Sequence, residues 1–407
     1  MLYFCDNLNE KHLSTNAEIN KNFAKDAFIQ TNTKRSLHFS MKNNTSPKSI
    51  SLTPLFLMLF TIGVGTSCLD QIDLEVPRGA SEAVVLQGKL TYGNPSTFRL
   101  EIQRVFAFNG DNSTGVNASS VRLMNSAGQS LEIDRLADGL YVASLDPNDP
   151  NFEIDFEQTY SIEVRLFDGE TYASRPEPMI RVPEMDSISF AKTTILTPNP
   201  DDEGDPNPVD FVAFSINTPI RVPGTSEASR LRWDMERTYK ITERPTFGQE
   251  RKTCYITNAQ GIFQPVNFDA TGQDLDYLSD LALVNDVATF PFIEGYYSTV
   301  YQESLSEGAF TYFSQIESSI TREGDMFEAP AGRIFTNLYN INDESTPVYG
   351  YFYATQRDTI RQFVSPDFLM NYDTLCLRVF DMDVPDVCVD CTTELGSQAL
   401  APSWWVE

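Results

Sequence analysis

Apolar and polar residues alternate along several short segments between residues 83 and 184, with the period of two that is typical of β-strands. Residues 97–105 and 160–166 are the clearest examples, and the turn Asp168-Gly169 follows the second of them. Short strands with turn residues between them, over roughly 100 positions, are typical of a two-sheet sandwich. The sequence therefore predicts an immunoglobulin-like or transthyretin-like β-sandwich over residues 83–184.

The chain beyond residue 186 is also rich in strand patterns. The clearest are at residues 209–216, 231–239 and 348–354, and a proline-rich segment at 176–183 separates them from the first region. These patterns predict a mainly β protein whose second part, residues 187–407, is a β-rich domain.

One amphipathic helix is predicted in this second domain, over residues 305–322. Its apolar positions recur with a period near 3.6 residues, which puts them on one face of a helix. They are Leu305, Ala309, Tyr312, Phe313, Ile316 and Ile320. Ser304 and Glu307 have the spacing of a capping box at the helix start. We expect the apolar face to pack on the sheet of its own domain, and docking onto another protein is the alternative.

A different apolar pattern lies at residues 52–64, where thirteen consecutive positions are mostly hydrophobic. This run has the length of the apolar part of a signal peptide and is too short to span a bilayer. The small residues at 65–67 and then Cys68 follow it, which is typical of a bacterial lipoprotein signal. The sequence therefore predicts a signal peptide at 41–67, a lipid anchor on Cys68 and a tether that extends to residue 82.

The polar residues 1–40 do not resemble the short basic start of a signal peptide, whereas Met41, Lys42 and Lys48 do. We expect Met41 to be the true start and residues 1–40 to be a mispredicted extension. One alternative is a long leader that spans residues 1–67. Another is an ordinary secretory signal that ends at a cysteine by chance, since Gly65 stands where a lipoprotein signal usually has leucine.

Composition excludes several classes of function. Both histidines of the chain, His12 and His38, precede Cys68, so Ser-His-Asp and Cys-His catalysis are excluded for the mature protein. The formal net charge of −27 argues against nucleic-acid binding. No nucleophile elbow, phosphate loop or dinucleotide fingerprint is present, and we expect no cofactor. Hydrolysis by a pair of carboxylates stays open, because acidic residues are abundant.

Four cysteines follow the predicted anchor: Cys254, Cys376, Cys388 and Cys391. An even number in an oxidising compartment predicts two disulfides, whose pairing the sequence leaves open. The disulfides would hold the C-terminal tail, with Trp404 and Trp405, against the rest of the protein. The C-x-x-C spacing at 388–391 is also that of half a zinc site or a redox motif. Zinc would need two more ligands, for which only Cys254 and Cys376 could serve, and a redox motif would normally open a helix rather than lie in an irregular tail. We therefore predict structural disulfides and no metal site.

Tyrosines supply the candidate ligand-facing residues. Tyr349, Tyr351 and Tyr353 share one face of a predicted strand, and Tyr296 and Tyr297 precede the predicted helix. Aromatic faces of this kind can stack on sugars or peptides. The alternative is that these rings pack beneath the helix or between the two domains.

Several segments together resemble a family of Bacteroidota lipoproteins with a domain of unknown function, number 4249. The matching segments are residues 84–88, 139–141, 168–174, 231–233, 302–307, 348–352, 388–391 and 402–404. Members of the family are often encoded beside TonB-dependent outer-membrane receptors. The resemblance implies a lipoprotein of the outer membrane that works with such a transporter in substrate capture or as a lid, and it supplies no catalytic residues.

The resemblance and the composition together predict a protein that is not an enzyme. Its ligand is unknown, with a glycan or a peptide as the two candidates. Asp70, Asp73 and Glu75 follow the anchor and favour export to the cell surface. The alternatives are an adhesion or structural module and a carboxylate-based glycan hydrolase.

The anchor can be tested directly by the substitution Cys68→Ser. We expect the variant to move from the membrane fraction to the soluble fraction, because it has no thiol to carry the lipid. Immunoblots of fractionated cells would measure this, with Cys254→Ser as a control that should stay on the membrane. A Cys68→Ser protein that remained membrane-attached would contradict the lipid anchor.

Overall fold

The computed structural model describes residues 83–104, 115–197, 206–243, 250–259, 266–320, 334–369, 376 and 386–406. These residues all belong to one compact unit. The predicted extension, the signal peptide, Cys68 and the tether lie outside the described residues. Within the described part, no helix has both the length and the apolar character needed to cross a membrane.

The protein is mainly β, as the sequence predicts. The first nine strands are β1 Val84–Tyr92, β2 Ser96–Arg104, β3 Ala118–Asn125, β4 Ser130–Glu132, β5 Arg135–Ala137, β6 Leu140–Leu145, β7 Thr159–Leu166, β8 Thr171–Ser174 and β9 Glu177–Pro178. The others are β10 Ser187–Thr197, β11 Asn207–Pro219, β12 Arg230–Thr242, β13 Thr253–Ala259, β14 Val266–Asp269, β15 Tyr277–Val287, β16 Tyr296–Ser304, β17 Leu338–Asn340, β18 Val348–Val364 and β19 Ser397–Gln398. The described part of the chain contains two α-helices, α1 Glu307–Ile320 and α2 Asp386–Val389.

A ten-stranded sheet forms the centre of the fold. Its strand order is β19-β13-β12-β16-β18-β1-β2-β6-β5, with β14 paired to β12 outside this path. β18 connects the two predicted domains within this sheet. Its residues 348–356 pair in parallel with β1, and its residues 357–364 pair in antiparallel with β16. Strands from both sides of the boundary predicted between residues 184 and 187 therefore pair in the same sheet.

A six-stranded sheet covers one end of the inner face of the ten-stranded sheet. Its strand order is β17-β8-β7-β3-β4, with β9 paired to β7. The predicted alternation in β2 is confirmed, because Phe98, Leu100 and Ile102 are buried while the residues between them are not. They pack with Ile162 of β7 and Phe352 of β18 in one hydrophobic core. Two sheets thus share this core, and its immunoglobulin-like or transthyretin-like class stays a prediction.

A three-stranded sheet, β10-β11-β15, covers the other end of the same inner face. Phe214 of β11 packs with Trp233 of β12 and Tyr296 of β16 in a second core. The buried indole of Trp233 donates a hydrogen bond to Gln302 Oε1 at 2.8 Å, and Gln302 Nε2 donates to the carbonyl of Pro183 at 2.7 Å. The polar groups of Trp233 and Gln302 are therefore paired inside this core, as burial requires.

Helix α1 lies where the sequence predicts it, but it begins at Glu307 rather than at residue 305. Its described part is Glu307–Ile320, and residues 321–333 lie outside the described part of the chain. The predicted cap is wrong: the Ala309 amide donates to Ser306 Oγ at 3.1 Å, whereas Ser304 Oγ donates to the carbonyl of Ile180. Ser304 cannot cap the helix because it is the last residue of β16.

The apolar face of α1 packs onto the ten-stranded sheet of its own chain. Four of its residues, Ala309, Tyr312, Phe313 and Ile316, are buried, with Leu305 just before them. Ile320, the last predicted position, is 46% exposed. The face thus covers Tyr351 and Tyr353 of β18, and five of the six predicted positions are buried.

The four cysteines form two disulfides, Cys254–Cys391 and Cys376–Cys388. The first fastens the tail to β13, where β19 adds two residues to the sheet. Trp405 packs edge-on to Tyr255 and Tyr297, so aromatic contacts hold the tail as well. Cys388 and Cys391 belong to different disulfides, so the C-x-x-C spacing is neither a zinc half-site nor a redox pair in this structure.

The two disulfides should contribute unequally to stability. Replacing Cys254 and Cys391 by alanine should lower the free energy of unfolding by about 2–5 kcal/mol. The pair Cys376 and Cys388 should cost about 2 kcal/mol less, since loop-closure entropy grows with the length of the closed loop. The sequence separations are 137 and 12 residues. Urea unfolding of the two double variants would measure this, and equal losses would contradict the loop-length argument.

Candidate functional site

The ten-stranded sheet has a polar outer face, opposite the face that covers the two cores. Because side chains alternate along a strand, every second residue of β1, β2, β12, β16 and β18 faces this side, and several of these residues are charged. A cavity of about 650 Å³ lies there, bordered on one side by Tyr312 and Phe313 of α1. Its charged lining residues are Lys89, Arg99, Glu101, Arg232, Glu236 and Arg357.

Glu303 of β16 is the centre of this charged group. Its side chain is 1% exposed. Oε1 accepts hydrogen bonds from Lys89 Nζ at 2.9 Å and from Arg357 Nη2 at 2.6 Å and Nε at 2.9 Å. Oε2 accepts from the Tyr353 hydroxyl at 3.0 Å and lies 3.8 Å from Arg232 Nη1. Both oxygens of this buried carboxylate therefore have hydrogen-bond donors and cationic neighbours.

Charge governs the protonation of Glu303. Burial alone would raise its pKa, but Lys89, Arg357 and Arg232 outweigh burial and hold the pKa of this carboxyl well below its usual range. Glu303 is therefore ionised at any physiological pH. A carboxylate held in this way is a poor proton donor and a poor nucleophile, and its role is to neutralise and orient the cations around it.

The three cations differ in what else they contact. Burial lowers the pKa of Lys89; Glu303 counteracts this, while Arg357 and Arg232 add to it. Arg232 donates to Asp234 at 2.8 Å, and its guanidinium lies 4.3 Å from the ring centre of Phe313. Its Nε is buried and has no hydrogen-bond partner among the described residues. The cluster thus holds more positive charge than Glu303 alone neutralises.

A second buried carboxylate, Glu177 of β9, has the opposite environment. It accepts hydrogen bonds from the hydroxyls of Ser306 and Tyr351 and from Asn337 Nδ2, the last at 3.2 Å. These partners are uncharged, and burial raises the pKa of Glu177. Glu177 joins the start of α1 to β18, and Gly308 makes this possible, since a Cβ there would lie 2.3 Å from the Tyr351 hydroxyl.

The five predicted tyrosines do not form one surface. Tyr351 and Tyr353 lie beneath α1, against Tyr312 and Phe313, and both also line the cavity. Tyr349 is half-buried and is not part of the cavity lining.

The remaining two tyrosines lie away from the cavity. Tyr296 is fully buried and stacks on Phe292 at 4.0 Å between ring centres. Tyr297 packs on Trp404 and Trp405 of the tail. Packing beneath the helix therefore accounts for Tyr351 and Tyr353, as the alternative interpretation of the sequence holds.

Sequence reasoning did not predict the charged residues that line the cavity. The signal was available: Lys89, Arg232, Glu303 and Arg357 all occupy alternate positions on strands. Charged residues at such positions usually face solvent. Their convergence depends on which strands are neighbours, and the sequence does not state this.

One group of possible metal ligands occurs in the described part of the chain, namely Glu243, Cys254 and Cys391. The two sulfurs are bonded to each other and have no thiolate to donate. Glu243 Oε1 accepts a hydrogen bond from the Cys391 amide at 2.8 Å. The carboxylate therefore supports the tail next to its disulfide.

The two buried carboxylates should respond in opposite ways to removal of their charge. Glu303→Gln should lower the free energy of unfolding at pH 7 by about 3–5 kcal/mol, because three cations then lose their shared partner. The folded-state pKa of Glu303 is below its unfolded value, so its contribution is present above about pH 4 and is lost as the pH falls further. The difference between wild type and variant should therefore shrink on acidification.

Glu177→Gln is the matched control. Its folded-state pKa is above its unfolded value, so the ionised side chain lowers stability as the pH rises from about 4 through the folded-state pKa. Glutamine removes the charge and keeps one acceptor oxygen for Tyr351 and Asn337, while its amide nitrogen can donate to the Ser306 hydroxyl. This variant should therefore be at least as stable as wild type at pH 7. Urea unfolding between pH 3 and 8 would measure the stability of both variants. Equal losses in the free energy of unfolding for Glu303→Gln and Glu177→Gln at pH 7 would contradict the opposite pKa shifts of the two carboxyl groups.

The model of one family, described as Domain of unknown function (DUF4249), matches residues 70–361. No curated protein and no solved structure matches the chain. The matched region contains β1 to β16, α1 and most of β18, and thus every charged residue that lines the cavity. The chain belongs to the DUF4249 family.

Proposed function

We propose that the protein is a non-enzymatic accessory of a TonB-dependent transporter, anchored to the outer membrane through Cys68 and exposed at the cell surface. It captures a substrate or acts as a lid. The observation that carries the proposal is the polar cavity on the outer face of the ten-stranded sheet. The sequence resemblance to lipoproteins encoded beside such receptors supplies the partner.

The cavity supports a binding role by its size and construction. A volume of about 650 Å³ lies within the usual range of small-molecule sites. Its polar groups are held by strands and by a packed helix, so they are preorganised to bind. An adhesion or structural module, the first alternative, would need no such cavity.

The second alternative, a glycan hydrolase, needs two carboxyl groups free for proton transfer or attack. Glu101 and Glu236 both line the cavity, which is the observation that favours this alternative. Glu101 is paired with Arg99, however, and Glu236 accepts a hydrogen bond from the Tyr301 hydroxyl at 2.6 Å. Glu303 is neutralised by cations. These pairings favour binding over hydrolysis.

The partnership can be tested by purification from mildly solubilised outer membranes of the native cells. We expect a tagged protein to bring down a TonB-dependent receptor, identified by mass spectrometry, in near-stoichiometric amount. A second tagged outer-membrane lipoprotein without this fold is the control for non-specific capture. Recovery of the protein without a receptor, under conditions that preserve other outer-membrane complexes, would refute the proposed function.

A further inference from the structure

We infer that the cavity contains a subsite for one carboxylate group of the ligand, formed by Lys89 and Arg357. This deepens the proposed function and rests on it, since it names the chemical class that the accessory would capture. The ligand is an organic acid, and its carboxylate belongs to a free acid, to a uronic acid unit of a glycan or to an acidic peptide.

Lys89 and Arg357 have N–H groups that remain available to donate hydrogen bonds to a ligand. A lysine ammonium has three N–H groups, and an arginine guanidinium has five. Within the described part of the chain, Lys89 donates one hydrogen bond, to Glu303. Arg357 donates through Nε and Nη2, also to Glu303, which leaves Nη1 available. Both side chains line the cavity and are partly exposed, at 23% and 30%. Their remaining donors are accessible to a ligand.

The local pairing of charges also favours a ligand carboxylate. Four cations and four anions line or adjoin the cavity, so its charge balances as a whole; they are Lys89, Arg99, Arg232, Arg357, Glu101, Asp234, Glu236 and Glu303. Arg99 is paired with Glu101 and Arg232 with Asp234. Lys89 and Arg357, in contrast, share the single carboxylate of Glu303. Partly buried cations without a full set of counter-charges are unfavourable, and a ligand carboxylate would complete the set.

Two carboxylates of the cavity lining limit the ligand to a single negative charge at this subsite. Glu101 and Glu236 are part of the same cavity lining and would repel a polyanion. Their position disfavours phosphate and sulfate polymers. The cavity also lies on the face of a sheet, where strand addition of a peptide backbone is not possible, so recognition depends on side chains. One carboxylate on an otherwise polar ligand fits these constraints.

The subsite can be tested on the folded protein by NMR of 13C-methylated lysines, with the Lys89 signal assigned by its absence in Lys89→Arg. The probes are acetate and acetamide, which have nearly the same shape and differ in charge. We expect acetate to shift the Lys89 signal in a saturable way that weakens with added salt. Acetate should also raise the pKa of Lys89, whose charged neighbours are Glu303, Arg357, Arg232 and Arg99. Acetamide should do neither.

A matched pair of variants tests the second residue of the subsite. Arg357→Gln should weaken acetate binding by at least about tenfold, the equivalent of one charge-assisted hydrogen bond. Arg361→Gln is the control, because Arg361 lies on the same strand and face but outside the cavity, over Trp404. It should bind acetate as wild type does. If Arg357→Gln fails to fold, the acetate and acetamide titrations of the wild-type protein still show whether the subsite binds a carboxylate.

Further probes distinguish the source of the carboxylate. Galacturonate against galactose tests a uronic acid, and N-acetylglutamate against N-acetylglutamine tests a peptide. The proposal is overturned if acetate gives no saturable shift, or if acetamide binds as well as acetate. Either result would leave the receptor partnership unaffected, because co-purification measures that separately. Conversely, acetate binding without a receptor would refute the partnership alone.

Discussion

The pairing of β18 with two different strands is the constraint on which the rest of the structure depends. Its first half lies parallel to β1 and its second half antiparallel to β16, so one continuous strand joins the two ends of the ten-stranded sheet. Gly350 makes the first pairing possible. It has a φ of 94°, and a Cβ there would lie 2.0 Å from the Leu86 carbonyl oxygen. Any other residue would push β18 away from β1.

The same strand organises the cavity. Tyr351, Tyr353 and Arg357 follow one another on its outer face, the first beneath α1 with Glu177 and the last against Glu303. The two carboxylates show how burial and charge compete: neutral partners leave burial dominant at Glu177, whereas three cations overcome it at Glu303. Helix position and charge arrangement therefore both depend on how β18 is placed.

Local pattern predicted the strands and the helix well, because alternation and the 3.6-residue period are visible in a single segment. It failed where pairing joins distant segments. Nothing in residues 84–92 indicates that residues 348–356 lie beside them, and the cluster around Glu303 needs β1, β12, β16 and β18 together. The disulfide pairing is non-local in the same way. The sequence pattern cannot tell which of two serines, Ser304 or Ser306, caps α1. The distinction depends on where β16 ends: Ser304 is its last residue, so Ser306 is the one that accepts from the helix.

The attachment of the tail affects the order in which the molecule can be completed. β13 is the strand next to the rim of the ten-stranded sheet, and β19 covers part of its free side. Gly396 allows this contact, since a Cβ there would lie 2.1 Å from the Thr257 carbonyl oxygen. The tail is synthesised more than a hundred residues after β13. A chain stopped before Cys391 therefore exposes an uncovered strand edge, which is a template for association with other chains. The segment that contains β19, which is made after β13, thus also protects this edge of the sheet against aggregation.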